Sequence, residues 1–481
     1  MKLALLLSEL LDRSKYELHS DIDVRGIEDN SLKVKEGYAF VAIKGYKMDG
    51  HQFIEDAIEK GASVIFGERD LTPLKVPYIR VENSRKFLAK LTGAFYEFPY
   101  RKHKIIGITG TNGKTTTSFM LKHFLEKAGY SCALFGSVQN YVNGHKRTAL
   151  NTTPSPIHLN QMLAESKDEY VIMEVSSHGI SQDRVEGIYF DYCLFTNLTH
   201  DHLDYHKSME DYFLTKAVLF KQLKKSGTAV INTQDEWGDK LKSMLDGSVN
   251  ILTFGDLKTD DLQLVDAFTD CRTTALLRHG DDIVTLMPTL PGEHNVYNAA
   301  LAYLTARKIG VRKDKLLQSL KNFSGVPGRF EFVESKGNPT VIIDYGHTPD
   351  AIFHCLTTGK DCGARKIFHV FGFRGDRDQT KRPEMIRISA EISDRYFLTT
   401  DNLNETNLEK MVQELNILQA ENGNQKGEIV SDRTLAIKKA WNEAKEGDWI
   451  FITGKGLEKY EELYTLKTEN DRQTVELLIN N

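Results

Sequence analysis

No stretch of about 18 consecutive apolar residues occurs in the 481-residue sequence. That is roughly the least a membrane-spanning helix needs, so no span is expected. CxxC pairs are also missing. The five cysteines, Cys132, Cys193, Cys271, Cys355 and Cys362, are scattered and odd in number, which argues against a disulfide framework or a zinc ribbon and fits a reducing cytosol. Positive charge is not in excess: the net charge is −5 and the pI is near 6.3, so the basic stripe of a nucleic-acid binder is not expected. Internal repeats and low-complexity segments are absent. A G-x-S-x-G elbow is absent too, which sets serine hydrolysis aside in spite of Ser176 and Ser177. The opening "MKLALLLSELLDRSKYEL" has only a short apolar run, acidic residues follow at once, and no small-residue cleavage site appears. It reads as an amphipathic first helix and not as a signal peptide.

What is present is alternation. Short β-rich runs such as "KIIGIT", "YVIMEV", "TVIIDY" and "DWIFITG" alternate with helical patterns such as "TTSFMLKHFLEKAG" and "HNVYNAALAYLTARKIG". This predicts an α/β protein with largely parallel sheets. The length suggests about three domains. "EFPYRKHK" at 97–104 precedes a strand that restarts the alternation, and "SGVPGRFEFV" at 324–333 is a Gly/Pro turn before another. The expected regions are therefore 1–100, 101–328 and 329–481. Polar clusters follow the carboxyl ends of many strands, which is where ligands bind in open α/β sheets. A cleft between two domains is the expected binding place.

The stretch "IIGITGTNGKTTTSFM", Ile105 to Met120, combines glycines with Gly113-Lys114-Thr115 between a strand and a helix. The strict phosphate-loop pattern puts a glycine at 108, where this chain has Ile108, so the loop is a variant. Its chemistry survives the shift. Small residues turn backbone N–H groups toward an anion, and the following helix N-terminus adds partial positive charge. Lys114 would bridge phosphates and Thr115 would ligate Mg²⁺. Glu174 closes a hydrophobic strand, where a carboxylate can hold a cation or cap a helix. "HDHLDYH" gathers His200, Asp201, His202, Asp204 and His206, which reads as a metal site, as a single ligand, or as a polar loop.

Beyond these, "GITGTNGKTTT", "NTTPSP", "MEVSSHG", "NLTHDHLDYH", "KAVLF", "HNVYNA", "PGRFE", "DYGHTPDAI", "GDRDQTKRPEM" and "GKGLEKY" occur in this order. The set resembles the Mur ligases of bacterial peptidoglycan synthesis, and within them most closely the MurE type, over residues from about 20 to about 460. The resemblance implies a UDP-binding N-terminal α/β domain, a central P-loop ATPase domain with a mainly parallel sheet, and a mobile Rossmann-like C-terminal domain. It implies transfer of the γ-phosphoryl of ATP to a substrate carboxylate, then displacement of phosphate by an amino group. Charge neutralisation and positioning carry that chemistry more than a protein nucleophile does. Gly110, Thr111, Asn112, Gly113, Lys114, Thr115 and Thr116 match the nucleotide loop. Thr115, Glu174, His202 and Lys216 match ligands of two Mg²⁺ ions, with Lys216 carbamylated by CO₂. Asn295 and Asn298, with His294, match the adenine-proximal segment, and Arg329 and Asp344 match residues near the γ-phosphate and ribose. Asn151, Thr152, Thr153, Ser176, Gln182 and Arg184 match contacts to a UDP-muramoyl dipeptide. Ser31 matches the uridine-binding serine, with Asn30 and Leu32 replacing the usual Asp and Arg beside it.

The incoming amino acid is expected to meet Arg377, Asp401, Gly454 and Glu458. Enzymes of this type that add meso-diaminopimelate read D-N-P-R where this chain has "DNLN", residues 401–404. Asn404 cannot grip a distal carboxylate as a guanidinium does, so L-lysine is favoured over meso-diaminopimelate. Leu403 replaces the usual proline. Phe373 and Arg374 stand where small residues are usual, which predicts a reshaped pocket or Arg374 as an alternative clamp. Gly346 replaces a usual alanine. The partners are small molecules, the location cytoplasmic, and monomer is the default state. The alternatives are a MurE-like ligase of a specialised pathway and an inactive nucleotide-binding paralogue.

Overall fold

The computed structural model describes residues 1–12, 21–46, 48–71, 73–245, 247, 249–268, 270–333 and 337–480. The chain forms two compact units. One comprises Met1–Gly107, Tyr130–Tyr192 and Val218–Gly227; the other comprises Ile108–Gly129, Cys193–Ala217 and Thr228–Asn481. Among the described residues no helix is long and apolar enough to cross a membrane.

The first unit begins with a helix that is shorter than expected, Leu3–Leu7, which buries Leu3, Leu6 and Leu7. Turns follow it, and residues 13–18 of the anticipated helix lie outside the described residues. A four-stranded parallel sheet comes next, in the order Gly26–Glu28, Tyr38–Val41, Ala62–Gly67, Tyr78–Arg80. Alternation sorts its core. Ala39, Val41, Val64 and Phe66 pack on one face, with the first helix, and Phe40, Ala42 and Ile65 pack on the other.

An eleven-stranded sheet has the order Asp282–Leu286, Thr274–His279, Leu262–Phe268, Asn250–Gly255, Leu223–Asn232, Phe190–Phe195, Lys104–Thr109, Tyr170–Glu174, Cys132–Phe135, Asn140–Val142, His145–Arg147. Parallel pairing joins Leu223–Asn232 to Asn250–Gly255 and Cys132–Phe135 to Tyr170–Glu174. Both edges are antiparallel, which the alternation of strands and helices does not announce. The cause is local. Asn143 and Gly144, at φ 52° and 77°, and Gly280, at φ 60°, make two-residue hairpin turns.

The second unit also holds a six-stranded sheet in the order Glu331–Val333, Thr340–Ile343, Trp449–Ile452, Ile367–Phe373, Arg395–Thr400, Gly427–Ile429. It is parallel except at its first pair. Val341 and Ile343 face one core and Ile342 the other, as in a doubly wound sheet. Its carboxyl edge carries the segments that begin at Asp344, Arg374, Asp401 and Gly454, so four polar loops from distant parts of the sequence meet along one line.

Candidate active site

The loop after Lys104–Thr109 turns on Gly110 and Gly113, at φ 145° and 83°. A side chain on Gly110 would strike Thr196 and one on Gly113 would strike Asn298, so both positions require glycine. The loop is pinned from outside. Thr111 N–H donates to the Asn197 carbonyl at 2.9 Å, Asn112 N–H to Asn197 Oδ1 at 2.9 Å, and Thr196 Oγ1 to the Asn112 carbonyl at 2.6 Å. The helix Lys114–Ala128 follows directly.

Two ammonium groups converge here. Lys114 Nζ donates to the carbonyls of Gly110 and Thr111 at 2.8 and 2.7 Å. Lys216 Nζ, fully buried on the helix Met209–Ala217, donates to the same Gly110 carbonyl at 2.8 Å. Lys216 also lies over the Tyr212 ring at 4.4 Å. Burial, reinforced by Lys114, pushes the Lys216 ammonium well below the usual lysine range, and Asp201 offsets only part of this. Arg329 adds a third cation, donating to Thr115 Oγ1 at 3.1 Å. It stacks over Tyr345 at 4.3 Å.

The His/Asp cluster divides into separate roles. His202, at φ 56°, has Nε2 3.3 Å from Asp201 Oδ2. Asp201 is buried and also takes Lys381 Nζ at 2.7 Å and His347 at 3.6 Å. Burial alone would raise its carboxyl, but His202, His347 and Lys381 together hold it well below the usual range. His200 binds Thr380 at 2.9 Å. Asp204 is raised by burial. His206 packs on Tyr212 at 4.9 Å. Among the described residues no three or more His, Cys, Asp or Glu side chains gather as a metal cluster.

The helix Glu293–Ile309 brings Asn298 to the loop helix, where its Oδ1 accepts from Thr117 at 3.2 Å. Asn298 Nδ2 in turn donates to Asn295 Oδ1 at 3.3 Å. His294, buried beside His354, is lowered to about 3 and is neutral. Asp344 accepts from Phe330 N–H at 2.7 Å and Gly346 N–H at 2.5 Å. A side chain on Gly346 would come within 2.7 Å of Asp344 Oδ1, which accounts for glycine at this position in this chain.

Along the carboxyl edge of the six-stranded sheet, Asp401 is buried between Lys455 Nζ at 2.8 Å and Arg374 Nε at 3.3 Å. Burial opposes ionisation, yet Arg374, Lys455 and Arg433 lower its carboxyl to about 2. Arg374 also pairs with Glu458. Gly454, at φ 105°, lets the chain pass Asp401 closely. Asn404, at φ 51°, donates from Nδ2 to the Gly375 carbonyl at 2.6 Å. Two expectations change here. Arg377 is exposed and its charge acts on Asp204, whereas the guanidinium at Asp401 and Glu458 belongs to Arg374. Phe373 lies in the core and does not reshape a pocket.

In the first unit the residues matched to the muramoyl dipeptide form one patch. Thr153 Oγ1 donates to the Glu174 carbonyl at 3.0 Å and accepts from Ser176 N–H at 2.9 Å. Arg184 reaches the Thr153 carbonyl at 2.7 Å and Gln182 Oε1 at 2.8 Å. Ser137 Oγ donates to Glu174 at 3.0 Å and stands 3.0 Å from Thr152 Oγ1. Asn151 is exposed. Ser31 is buried in a turn that Asn30 caps, and Leu32 is exposed.

Sequence reasoning missed Lys455, Lys381 and Arg433. Arg433 is fully buried, fork-bonded to Asp471 at 2.7 and 2.8 Å, and donates to the Thr453 carbonyl beside Gly454. No local spacing announces these pairs. Two lysines, an arginine and aspartates at strand or helix ends were the available signals.

Residues 23–96, 108–306 and 328–456 match, in turn, the family models described as Mur ligase family catalytic domain, Mur ligase middle domain, and Mur ligase glutamate ligase domain. The chain is 37% identical over 473 residues to the UDP-N-acetylmuramoyl-L-alanyl-D-glutamate–2,6-diaminopimelate ligase 1 of Clostridium acetobutylicum, covering 95% of each chain. The chain belongs to the Mur ligase family. Another relative of this family, named as the same kind of ligase in Aquifex aeolicus, is 40% identical over 461 residues, with 95% of this chain and 94% of the relative covered. A solved structure of a UDP-N-acetylmuramoyl-L-alanyl-D-glutamate–2,6-diaminopimelate ligase superposes with a TM-score of 0.66 at 27% identity, covering 97% and 98% of the two chains. The MurF ligase of Thermotoga maritima, solved with ADP, shares the fold at a TM-score of 0.66 and 23% identity, covering 90% and 94%. As a Mur ligase, this protein is an ATP-dependent enzyme that forms an amide bond.

Proposed function

We propose that this Mur ligase is of the MurE type and joins a diamino acid to the glutamate carboxylate of UDP-N-acetylmuramoyl-L-alanyl-D-glutamate in peptidoglycan synthesis. The observation that carries the reading is the meeting of Lys114 and Lys216 on the Gly110 carbonyl, with Arg329 on Thr115, within the same unit as the charged set at Asp401. The cations Lys114 and Arg329 beside a glycine loop suit nucleotide phosphates and the charge that develops as the γ-phosphoryl moves, with the buried Lys216 amine next to them. Asn295 and Asn298 then lie toward the base, and Asp344 toward the ribose. The Thr153–Ser176–Arg184 patch receives the dipeptide, and the Ser31 turn receives the uridine end. The protein works in the cytoplasm as a monomer, with functional divisions near residues 100 and 328.

The residues matched to Mg²⁺ ligands are Thr115 and His202 in the second unit and Glu174 in the first, and the ion would neutralise phosphate charge when bound. The Thr115 hydroxyl and the Glu174 carboxylate, which is fully buried, offer the oxygen a hard cation prefers. Lys216 suits carbamylation, because only an uncharged amine adds CO₂, and its burial favours that form.

For the amino acid, Arg374, Lys455, Asp401 and Glu458 offer both signs of charge. A zwitterionic end exchanges for these internal pairs, its ammonium facing the carboxylates and its carboxylate facing Arg374. This supports meso-diaminopimelate, named for the relatives, with Arg374 serving in place of the missing guanidinium at 404. The second reading, L-lysine, is favoured by Asn404 itself. Phosphate release from ATP in the presence of the UDP-muramoyl dipeptide, over a panel of amino acids, tests both. Stimulation by meso-diaminopimelate or lysine is expected. Stimulation only by unrelated amino acids, or none, would overturn the MurE-type reading.

A further inference from the structure

The loop that carries Arg374 is stitched to the loop that carries Asp401. The first follows the strand Ile367–Phe373 and the second its parallel neighbour Arg395–Thr400. Hydrogen bonds join them at successive positions. Gly375 N–H donates to the Asn402 carbonyl at 3.0 Å. Asn404 Nδ2 donates to the Gly375 carbonyl at 2.6 Å. Glu405 N–H donates to Asp376 Oδ2 at 2.9 Å, and the Thr406 hydroxyl donates to Asp376 Oδ1 at 3.2 Å. A side chain on Gly375 would come within 1.9 Å of the Leu403 carbonyl oxygen, so only glycine permits this approach.

Two side chains hold successive carbonyls at the root of Arg374. The Arg374 carbonyl accepts from Arg382 Nη2 at 2.6 Å. Arg382 is buried, pairs with Glu414 and lies 5.4 Å over the Phe373 ring. The next carbonyl, that of Gly375, accepts from Asn404. Fixing two neighbouring peptide planes fixes the direction in which the side chain between them leaves the backbone. That direction carries the Arg374 guanidinium to Asp401 at 3.3 Å and to Glu458. Asparagine is well matched to position 404. Its backbone is left-handed there, with φ 51°, a conformation that asparagine adopts more readily than most residues. Its short amide reaches back across the loop, and the amide nitrogen is engaged with Gly375.

We propose that Asn404 is a positioning residue for Arg374: by holding the Gly375 carbonyl it aims the guanidinium at a carboxylate on the far end of the incoming amino acid. This role rests on the reading of Arg374 as the group that faces that carboxylate. The departures at 374 and 404 then form one device, a guanidinium moved to the neighbouring loop and an amide that braces it. The substrate class it favours is an amino acid whose distal end bears a carboxylate. A distal end that is an ammonium alone gives the braced guanidinium nothing to hold.

The test measures KM for meso-diaminopimelate and for ATP in the full-length enzyme and in Asn404→Gly, Arg374→Ala and the double variant. Glycine keeps the left-handed backbone and removes the amide. Arginine at 404 brings a guanidinium of its own and does not read the brace. Arg374→Ala should raise KM for meso-diaminopimelate by about 10- to 100-fold, the scale of a charge-assisted bond. Asn404→Gly should raise it by about 3- to 10-fold, the scale of one neutral hydrogen bond, with KM for ATP unchanged. In the Arg374→Ala background the glycine should have no further effect, because nothing remains to be aimed. An equal effect of the glycine in both backgrounds would overturn the brace, since a direct substrate contact or a general loosening does not depend on Arg374. No effect of Asn404→Gly in the parent, or a parallel rise in KM for ATP, would overturn it as well. An unchanged KM in Arg374→Ala, or a parent that does not take meso-diaminopimelate, would overturn the reading of Arg374 itself, and the brace with it.

Discussion

The phosphate loop and the Asp401 loop both lie in the second unit and both follow strands, yet they handle charge in opposite ways. At the phosphate loop Lys114 and Lys216 donate to main-chain carbonyls, and Arg329 donates to a hydroxyl. Carbonyl and hydroxyl oxygens carry only partial charge, so these particular bonds do not cancel the charge of Lys114 or Arg329. At Asp401 every formal charge named has a formal partner: Arg374 with Asp401 and Glu458, Lys455 with Asp401. Cations bonded to neutral dipoles suit a polyanion such as ATP. A compensated set is indifferent to net charge and accepts a molecule that brings both signs, as an amino acid does. On the proposed reading, the difference lets one unit take two unlike substrates without competition between them.

The comparison breaks most sharply at the lysines. Lys114→Ala should lower turnover by about 10³-fold, the scale for losing a group aimed at developing charge. Near-normal amide formation in a coupled assay would contradict its role. Lys216→Ala should fall as far and recover partly with small carboxylic acids that replace the carbamate. Lys216 also predicts a pH effect on stability. Its folded pKa is depressed below 10.5, so the unfolded chain binds more protons and stability rises with pH up to the unfolded value. Lys216→Met lacks that slope. Its melting temperature should exceed the parent's by about 2–4 °C near pH 6, and the gap should close toward pH 10.

At the compensated site the effects are smaller. Asp401→Asn should raise KM for the amino acid by about 10- to 100-fold, as expected for a lost charge-assisted bond, while KM for ATP holds. An equal rise in both would erase the distinction between the two sites. Asp401 is depressed from 3.8 to about 2, so its contribution to stability is present above pH 3.8 and is lost as pH falls through about 2. The stability gap between parent and Asn variant should therefore shrink in acid. The smallest effect is expected at position 404. Asn404→Arg should raise use of meso-diaminopimelate relative to lysine by up to about 10-fold, one charge-assisted bond's worth. No shift in that ratio would leave Arg374 as the clamp.

The legible parts of the fold and site were those fixed by neighbours in sequence. The glycine loop, its helix and the strand endings follow from local spacing, and the Thr153–Ser176–Arg184 patch from ordered motifs. The antiparallel edges were legible in principle from "VNGH" and "HGDD". The pairs Lys381–Asp201 and Lys455–Asp401 were not, because 180 and 54 residues separate the partners and only the tertiary fold brings them together. The choice between Arg374 and Arg377 shows the limit well. Three residues apart in one turn, they are equivalent by composition, and the backbone at Gly375 and Asp376 (φ 52°) decides which one reaches Asp401.

The central claim is that the γ-phosphoryl passes to the glutamate carboxylate before the amide forms. Carboxylate labelled with ¹⁸O in the UDP-muramoyl dipeptide tests it directly. An acyl phosphate displaced by an amine leaves one labelled oxygen in the released phosphate, and mass spectrometry of that phosphate should find it. Unlabelled phosphate, formed at the rate of amide product, would contradict the account.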